Sequence, residues 1–555
     1  MKVVLTALNA KYIHTCLSVR CLYGAIRDLC DCRVREYTIN DEMGEICREL
    51  FCEKADCIAF SCYIWNIDKV LSLSSLLKKA EPKLKIILGG YEVMYDSESV
   101  LEQNPQIDAI IRGEGEITLR EYIEALEDKK PLNEIAGITY RDGNSIISNH
   151  DRSELCDLNA LPFVYDDSID EFKNKIIYYE SSRGCPYGCT YCISGQTGGV
   201  RFLGVERVKK ELAFFMEHRV PLVKFVDRTF NADPKRAKEI LKFIRDKASD
   251  TVFHMELAGD IIDDEVIDIA SHIPKGGVRF EIGVQTTNPD TMRHINRNIS
   301  FKRLSDSVRK LMDLGTVHIH LDLIAGLPHE DYESLKKSFD DVIMLRPNVL
   351  QLGFLKLLKG SVIREDEEKY GYVYSDKAPY EVISNDFISY DEILCIKCAE
   401  DALEKYYNSE CFLNTIDVLF ERYSCKFDLF LNIGKYLKSK YSVGYAFSKS
   451  QLFEELYEFA CKDDKTLFEA LKKDYLLSFR IGKRPLWFDE ADLSLLPKVY
   501  EMFKNEELKK EHFPMYYDVP AKEVMKHMYA ERFSSGVLLF DYKYGNVTEI
   551  AGFLS

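Results

Sequence analysis

The sequence predicts an α/β protein in three parts: a Rossmann-like doubly wound sheet, a partial (β/α)6 TIM-like barrel, and a mainly helical C-terminal region. Three observations lead there. Short apolar runs alternate with helix-length amphipathic segments over residues 1–130, and a second such series fills residues 171–362. Residues 131–170 read as a polar hairpin and a linker, and over residues 363–555 the alternation gives way to Tyr-, Phe-, Lys- and Glu-rich helical periodicity.

In chain order, five buried strands are expected at Val3–Leu8, Arg33–Ile39, Cys57–Tyr63, Leu84–Leu88 and Ala109–Ile111. Helices are expected at Leu17–Leu29, Glu42–Glu53, Ile67–Lys79 and Leu119–Leu126, an alternation that implies parallel pairing. The hairpin pairs Gly137–Tyr140 with Ser145–Ser148 across Asp142-Gly143, and an acidic linker runs through Asp166–Asp170. Barrel strands are expected at Ile176–Glu180, Leu222–Val226, Val252–Leu257, Val278–Val284, Val317–Ile324 and Val349–Phe354. Helices separate them, among them Val205–Glu217, Pro234–Lys247 and Leu304–Leu314. The last region holds helices around Ile393–Tyr406, Ile416–Tyr423 and Leu452–Phe459, and a closing hairpin of Val537–Phe540 with Val547–Ile550 across Gly545-Asn546.

Composition narrows the function. With 46% hydrophobic and 30% charged residues the chain is of the folded, globular kind. A net charge of −17 works against general nucleic-acid binding, because phosphate contacts need a basic surface. No apolar run reaches the roughly 18 residues of a membrane span. The apolar start Val3–Leu8 is too short for a signal-peptide core, so the expected location is the cytoplasm. Most of the 17 cysteines, Cys57 and Cys62 among them, lie in apolar periodic segments as small hydrophobes, which suits a reducing, anaerobic setting.

One group of cysteines is different. Ser181-Ser182-Arg183-Gly184-Cys185-Pro186-Tyr187-Gly188-Cys189-Thr190-Tyr191-Cys192 spaces three thiols as Cys-x3-Cys-x2-Cys. For 17 cysteines in 555 positions, about 0.016 such triplets would arise by chance, so the spacing is a signal. Pro186 between Gly184 and Gly188 opposes a helix and favours a loop around a metal. Soft thiolates suit zinc or an iron–sulfur cluster. A structural zinc wants four ligands, and no fourth Cys or His lies nearby in sequence, whereas a [4Fe–4S] cluster on Cys185, Cys189 and Cys192 leaves one iron open. The segment, with Tyr191 before the third cysteine and a strand before the loop, resembles the radical S-adenosylmethionine (SAM) superfamily. The resemblance implies that SAM binds the open iron and is cleaved to a 5′-deoxyadenosyl radical, with electrons from a donor such as flavodoxin or ferredoxin.

Other barrel motifs fall in step. Asp227 and Asn231 end the second strand, where barrel residues face an active site; the alternative is a helix start before Pro234. Arg228 stands where similar enzymes often carry a second acidic residue. Glu281 and Gln285 would be costly to bury without partners, so SAM contact is expected. The resemblance adds Arg297 for the methionine carboxylate and Asp322, within Leu321–Pro328, for the adenine side. Gln351–Lys356 would supply the sixth strand.

A Rossmann-like domain before such a barrel is similar to the cobalamin-binding subgroup of that superfamily, which includes anaerobic cyclases and P-methylases, here with an uncharacterised DUF4080-like C-terminal region. The similarity implies cobalamin at Asn9, Ser61, Tyr63, Trp65, Gly89, Gly90, Gly113, Glu114, Gly115 and Glu116, where glycines at strand ends let a bulky ligand approach. No Asp-x-His-x-x-Gly supplies a lower axial histidine, and isolated His14 reads as a packing residue. Trp65 is the candidate to cover the lower face, with ordinary aromatic packing as its alternative. A dinucleotide site is disfavoured, since Leu8-Asn9-Ala10-Lys11-Tyr12 lacks the Gly-rich fingerprint.

The function implied is methylation of an unactivated carbon in an unknown small molecule or peptide. The same cofactors also fit a cyclisation, rearrangement or redox reaction without methyl transfer, and a non-enzymatic iron–sulfur or cobalamin-binding protein is a third reading. No acid or base is assigned. Cys395 and Cys398 form a Cys-x-x-Cys inside a helical pattern, which favours core packing over a second metal site.

Overall fold

The structure is a computed structural model that describes residues 1–165, 169–196, 199–247, 249–442, 444–480 and 484–554, so Asp166, Asp167 and Ser168 of the expected linker lie outside the described residues. The chain divides into two compact units, Met1–Pro347 with Gln351–Ile393, and Asn348–Leu350 with Leu394–Ser555.

The first unit begins with the strand Lys2–Asn9, whose residues Val3, Val4 and Leu5 are fully buried. It lies between Asp31–Thr38 and Cys57–Ser61, and Lys85–Gly89 and Ala109–Ile111 follow, all parallel. This order reverses direction at the first strand, which opens a crevice at the C-terminal ends of the first and third strands. Alternation sorts the apolar residues: Val4, Leu8, Ile58 and Phe60 pack on one face, Val3, Leu5, Ala7 and Ala59 on the other. The expected hairpin is no linker. Ile138–Asp142 pairs antiparallel with Ala109–Ile111, and Ser145–Ser148 pairs with it in turn. The three-residue fifth strand would otherwise leave its hydrogen-bonding edge bare.

The barrel strands Ile177–Tyr179, Leu222–Phe225, Val252–Glu256, Val278–Gln285, His318–Ala325 and Val349–Phe354 lie side by side in chain order. The helices Val205–Glu217 and Pro234–Lys247 form where the periodicity places them. In Val278–Gln285 and His318–Ala325 burial alternates strictly. Phe280, Ile282 and Val284 pack outward under the helices, while Arg279, Glu281, Gly283 and Gln285 share the opposite face. Six strands do not close a barrel, so this polar interior stays reachable.

The loop after the first Rossmann strand meets the start of the first barrel strand. Ile176 N donates to Ile13 O at 2.8 Å, Thr15 Oγ1 donates to Ile176 O at 2.9 Å, and His14 Nδ1 lies 2.7 Å from the Tyr178 hydroxyl. His14 is thus the packing residue expected. Arg183 pairs with Glu116 and with Glu180 (2.8 Å), and Arg201 pairs with Glu114 at 2.6 Å.

In the second unit, the helices Leu413–Arg422, Lys426–Lys440 and Lys465–Ser478 precede a three-stranded antiparallel sheet, Met528–Phe533, Gly536–Asp541 and Asn546–Glu549. The last two strands are the expected hairpin. The first escapes the pattern because it buries a charge: Glu531, only 4% exposed, pairs with Lys472 at 3.1 Å and Arg484 at 2.7 Å. Cys398 is buried against Gly434, where a Cβ would meet its carbonyl oxygen at 2.1 Å, a helix–helix contact that fits core packing. No described helix is long and apolar enough to cross a membrane.

Because Arg183 balances Glu116 and Glu180 inside the protein, Arg183→Met leaves both carboxylates without a counterion and costs about 3 kcal/mol. The urea midpoint of the intact chain reads this, with Arg183→Lys retaining part of the loss; an unchanged midpoint for the methionine variant contradicts the role.

Candidate functional site

The segment Gly184–Cys192 is irregular backbone, and its shape is imposed by its neighbours. On one side, fully buried Asp227 accepts hydrogen bonds from Ser181 N (2.7 Å), Ser181 Oγ (2.5 Å) and Ser182 Oγ (2.8 Å), while Arg236 donates to Ser181 O at 2.9 Å. On the other side, Thr190 N donates to Ile295 O at 3.0 Å and Asn296 Nδ2 donates to Gly188 O at 2.8 Å. Arg297 Nη1 lies 3.5 Å from Cys189 Sγ and 3.3 Å from the Tyr191 hydroxyl, and its Nη2 donates to Gly283 O. Gly184 has φ +94°, and a Cβ on Gly195 would stand 2.6 Å from Tyr187 O, so neither turn admits a side chain easily.

Cys189 is buried, and Cys185 and Cys192 are half-buried. Cys185 Sγ lies 3.5 Å from Thr229 Oγ1; burial pushes the thiol pKa up and that hydroxyl draws it back. Three thiols around one ion would stand about 3.8 Å apart at the usual zinc–sulfur bond length. Among the described residues the one His, Cys, Asp and Glu group whose ligand atoms all lie within 4.8 Å is Asp290, His294 and His329, not the cysteine triplet.

The expected SAM contacts separate into two classes. Asp227 and Asn231 are already committed. Asn231 exchanges two 2.9 Å bonds with the backbone of Ala258. Both are buried fasteners of the strand ends. Glu281 takes Lys224 at 2.9 Å and His254 at 2.8 Å. Burial alone would raise its pKa, but these two partners outweigh burial and hold it down to about 2. The second class has capacity to spare. Gln285 Oε1, Asp322 Oδ1 and Arg297 Nε are buried without a hydrogen-bond partner. Gln285 has φ +70°, and a Cβ on Gly283 would meet its amide at 2.1 Å. Burial, then the charges of Glu281 and Glu256, push the Asp322 carboxyl well up. Unmet donors and acceptors beside the cysteine loop fit a polar nucleoside and its carboxylate.

The Rossmann crevice divides likewise. Asn9 donates to Glu36 at 2.8 Å and to His14 O, and Ser61 Oγ lies 2.8 Å from Ser18 Oγ. Glu114 and Glu116 serve Arg201 and Arg183, and Gly115 lets Leu22 pack on the following helix. Gly90 has φ +110° and a virtual Cβ 2.5 Å from Cys62 O, so it serves the approach of two loops; Gly89 sits at ordinary contact distance, and open space lies where a Gly113 side chain would be. Trp65 is 45% exposed, stacks on Tyr63 with ring centroids 4.4 Å apart, and donates Nε1 to Leu8 O at 3.1 Å. With exposed Tyr12 and Tyr91 it gives the strand ends an aromatic ledge, which fits a large flat ligand.

Sequence reading missed Ser181, Ser182, Thr229, Arg236 and Gly195, although the two serines directly precede the triplet and signal a polar anchor. It also missed Glu256, at the third strand's end, where burial and then Glu281 lift its carboxyl to about 7.

Known proteins agree with this layout. The B12 binding domain family matches residues 3–123, the Radical SAM superfamily residues 179–342, and a protein family of unknown function, DUF4080, residues 368–550. A 2-(S-pantetheinyl)-carbapenam-3-carboxylate methyltransferase from Streptantibioticus cattleyicolor is 24% identical over 470 residues, 80% of this chain and 66% of that one. An anaerobic magnesium-protoporphyrin IX monomethyl ester cyclase from Synechocystis is 30% identical over 256 residues, 44% of this chain and 50% of that one. The chain spans about half to two-thirds of the length of the curated relatives it matches. The solved cobalamin-dependent S-adenosylmethionine radical enzyme OxsB superposes with a TM-score of 0.63 at 16% identity, covering 86% of this chain and 81% of its own, which shows a shared fold. A [4Fe–4S] cluster, SAM and cobalamin are the cofactors of the matched domain families.

The two residue classes predict opposite phenotypes. Asp227→Ala lowers the melting temperature and the iron content after reconstitution, while Gln285→Ala leaves both unchanged and weakens SAM binding at least tenfold in anaerobic equilibrium dialysis. The reverse pattern contradicts the assignment. Glu281 predicts an acid effect. Its folded pKa, about 2 against an ordinary 4.5, is depressed, so its contribution is full above pH 4.5 and is lost as pH falls through about 2. Glu281→Gln flattens the pH dependence of stability in that window.

Proposed function

We propose that this chain, which unites a B12-binding domain, a radical SAM domain and a DUF4080 region, is an enzyme that methylates an unactivated carbon. When bound, the cluster and SAM supply a hydrogen-abstracting radical and cobalamin supplies a methyl group. The observation that carries the reading is the junction of the two sheets. The loop after the first Rossmann strand bonds to the start of the first barrel strand through Ile13–Ile176 and Thr15–Ile176, and Arg183 and Arg201, which flank the cysteine loop, pair with Glu116 and Glu114, so the aromatic ledge and the cysteine loop belong to one compact unit.

The chain's own residues then have defined work. Cys185, Cys189 and Cys192 hold the metal and leave one corner free. Arg297, beside Cys189 with its Nε unmet, and Gln285 orient the carboxylate and nucleoside of SAM. The Lys224–Glu281–His254 group fixes the charge of the barrel interior below them, so no proton need move there. Trp65, stacked on Tyr63 and partly exposed, would offer an apolar face to cobalamin. Fixing both reacting centres relative to the substrate is the protein's main contribution to rate.

Similarity to the cyclase as well as to the methyltransferase supports a second reading, ring closure with the same cofactors and no methyl transfer. Protein reconstituted without oxygen and given a strong reductant and methyl-labelled SAM is expected to form 5′-deoxyadenosine, at least a hundredfold less in Cys189→Ala. With a metabolite extract added, label entering a new compound supports methylation. A new but unlabelled compound supports cyclisation, and absence of deoxyadenosine contradicts both.

A further inference from the structure

Arg228 is at odds with its surroundings. Asp227 and Phe230 are fully buried and Thr229 is 4% exposed, but the Arg228 side chain is exposed. Its backbone is held beside the cysteine loop, since Thr229 Oγ1 donates to Arg228 O at 2.7 Å and touches Cys185 Sγ at 3.5 Å. Groups from both halves of the unit act on its guanidinium electrostatically: Glu256 and Cys192 from the barrel, Tyr91 and Tyr63 from the Rossmann crevice. Arg183, Arg236 and Arg297 all donate to named partners. The Arg228 guanidinium has no hydrogen bond or ion pair among the described residues, Glu256 included.

We infer that Arg228 recognises an anionic oxygen group, a carboxylate or a phosphate, on the substrate. The inference deepens the proposed function and rests on reading this chamber as the reaction site. A guanidinium presents five donors in a planar fork that matches such a group with two parallel bonds. Exposed and unpaired, it is free to meet an arriving anion. Lysine would not substitute, because a point charge lacks the fork. The carboxylate of SAM has a nearer guanidinium in Arg297, on the Cys189 side. Arg228 faces the space between cysteine loop and aromatic ledge, where the substrate must lie for both centres to reach it. Burial and then Glu281 lift the carboxyl of neighbouring Glu256, which weakens its hold on the arginine.

Phenylglyoxal labelling, mapped by mass spectrometry, tests this on the full chain loaded with cluster, hydroxocobalamin and SAM. Arg228 is expected to react at least tenfold faster than Arg183 and Arg236, which are internal controls. Succinate or inorganic phosphate should slow it at least fivefold, and the neutral diamide succinamide should not. The anion that protects at lower concentration tells carboxylate from phosphate. Protection by SAM or cobalamin alone would assign Arg228 to a cofactor and overturn the inference, as would no protection by either anion. The readout needs no turnover, so a chain that makes no deoxyadenosine fails the functional reading without deciding this one.

Discussion

Three thiols on a loop can hold a cluster with one vacant corner only if that loop cannot collapse onto it. The segment Gly184–Cys192 has little regular structure, so the constraint is met from outside. Buried Asp227 gathers Ser181 and Ser182 at its start, and Ile295-Asn296-Arg297 grips Gly188, Cys189 and Thr190 further along. Buried polar networks of this kind favour one geometry, because losing these bonds would leave a buried charge or donor unmet. A carboxylate outside the cysteine triplet can therefore govern the shape of its loop.

Charge within the barrel follows the same logic. An open six-stranded barrel exposes its interior, and the inward face carries Lys224, His254, Glu281 and His320 in place of an apolar filling. Lys224 and His254 settle Glu281 as an anion, and burial next to other imidazoles lowers His320 to about 4, so it stays neutral. Above that settled layer stand the unsettled groups: Gln285 and Asp322 with unmet atoms, Glu256 near neutrality and Arg228 unpaired. Polar capacity is spent at depth and kept at the mouth, where ligands arrive.

Much of this was legible in the sequence. Short apolar runs marked the parallel strands within a residue or two, and a loop-breaking proline among three spaced cysteines marked an irregular loop. Roles failed where a residue's partner lies far along the chain. Asp227 and Asn231 were correctly placed at a strand end, but Ser181 and Ala258, their partners, are 46 and 27 residues away. Glu114 and Glu116 stood at a ligand-binding edge and proved to serve Arg201 and Arg183 across the sheet junction. The strand Met528–Phe533 was hidden because Glu531 breaks the apolar alternation, and Lys472 and Arg484, 59 and 47 residues earlier, make that burial tolerable. Local pattern reports backbone and face; pairing decides which polar side chains remain free.

The central claim is an iron left open by a three-cysteine loop, and low-temperature electron paramagnetic resonance of the reduced, reconstituted protein tests it most directly. The account predicts a [4Fe–4S] signal that changes when SAM is added and vanishes in the triple alanine variant of Cys185, Cys189 and Cys192. A signal indifferent to SAM, or a site filled by zinc in protein purified without oxygen, would contradict it.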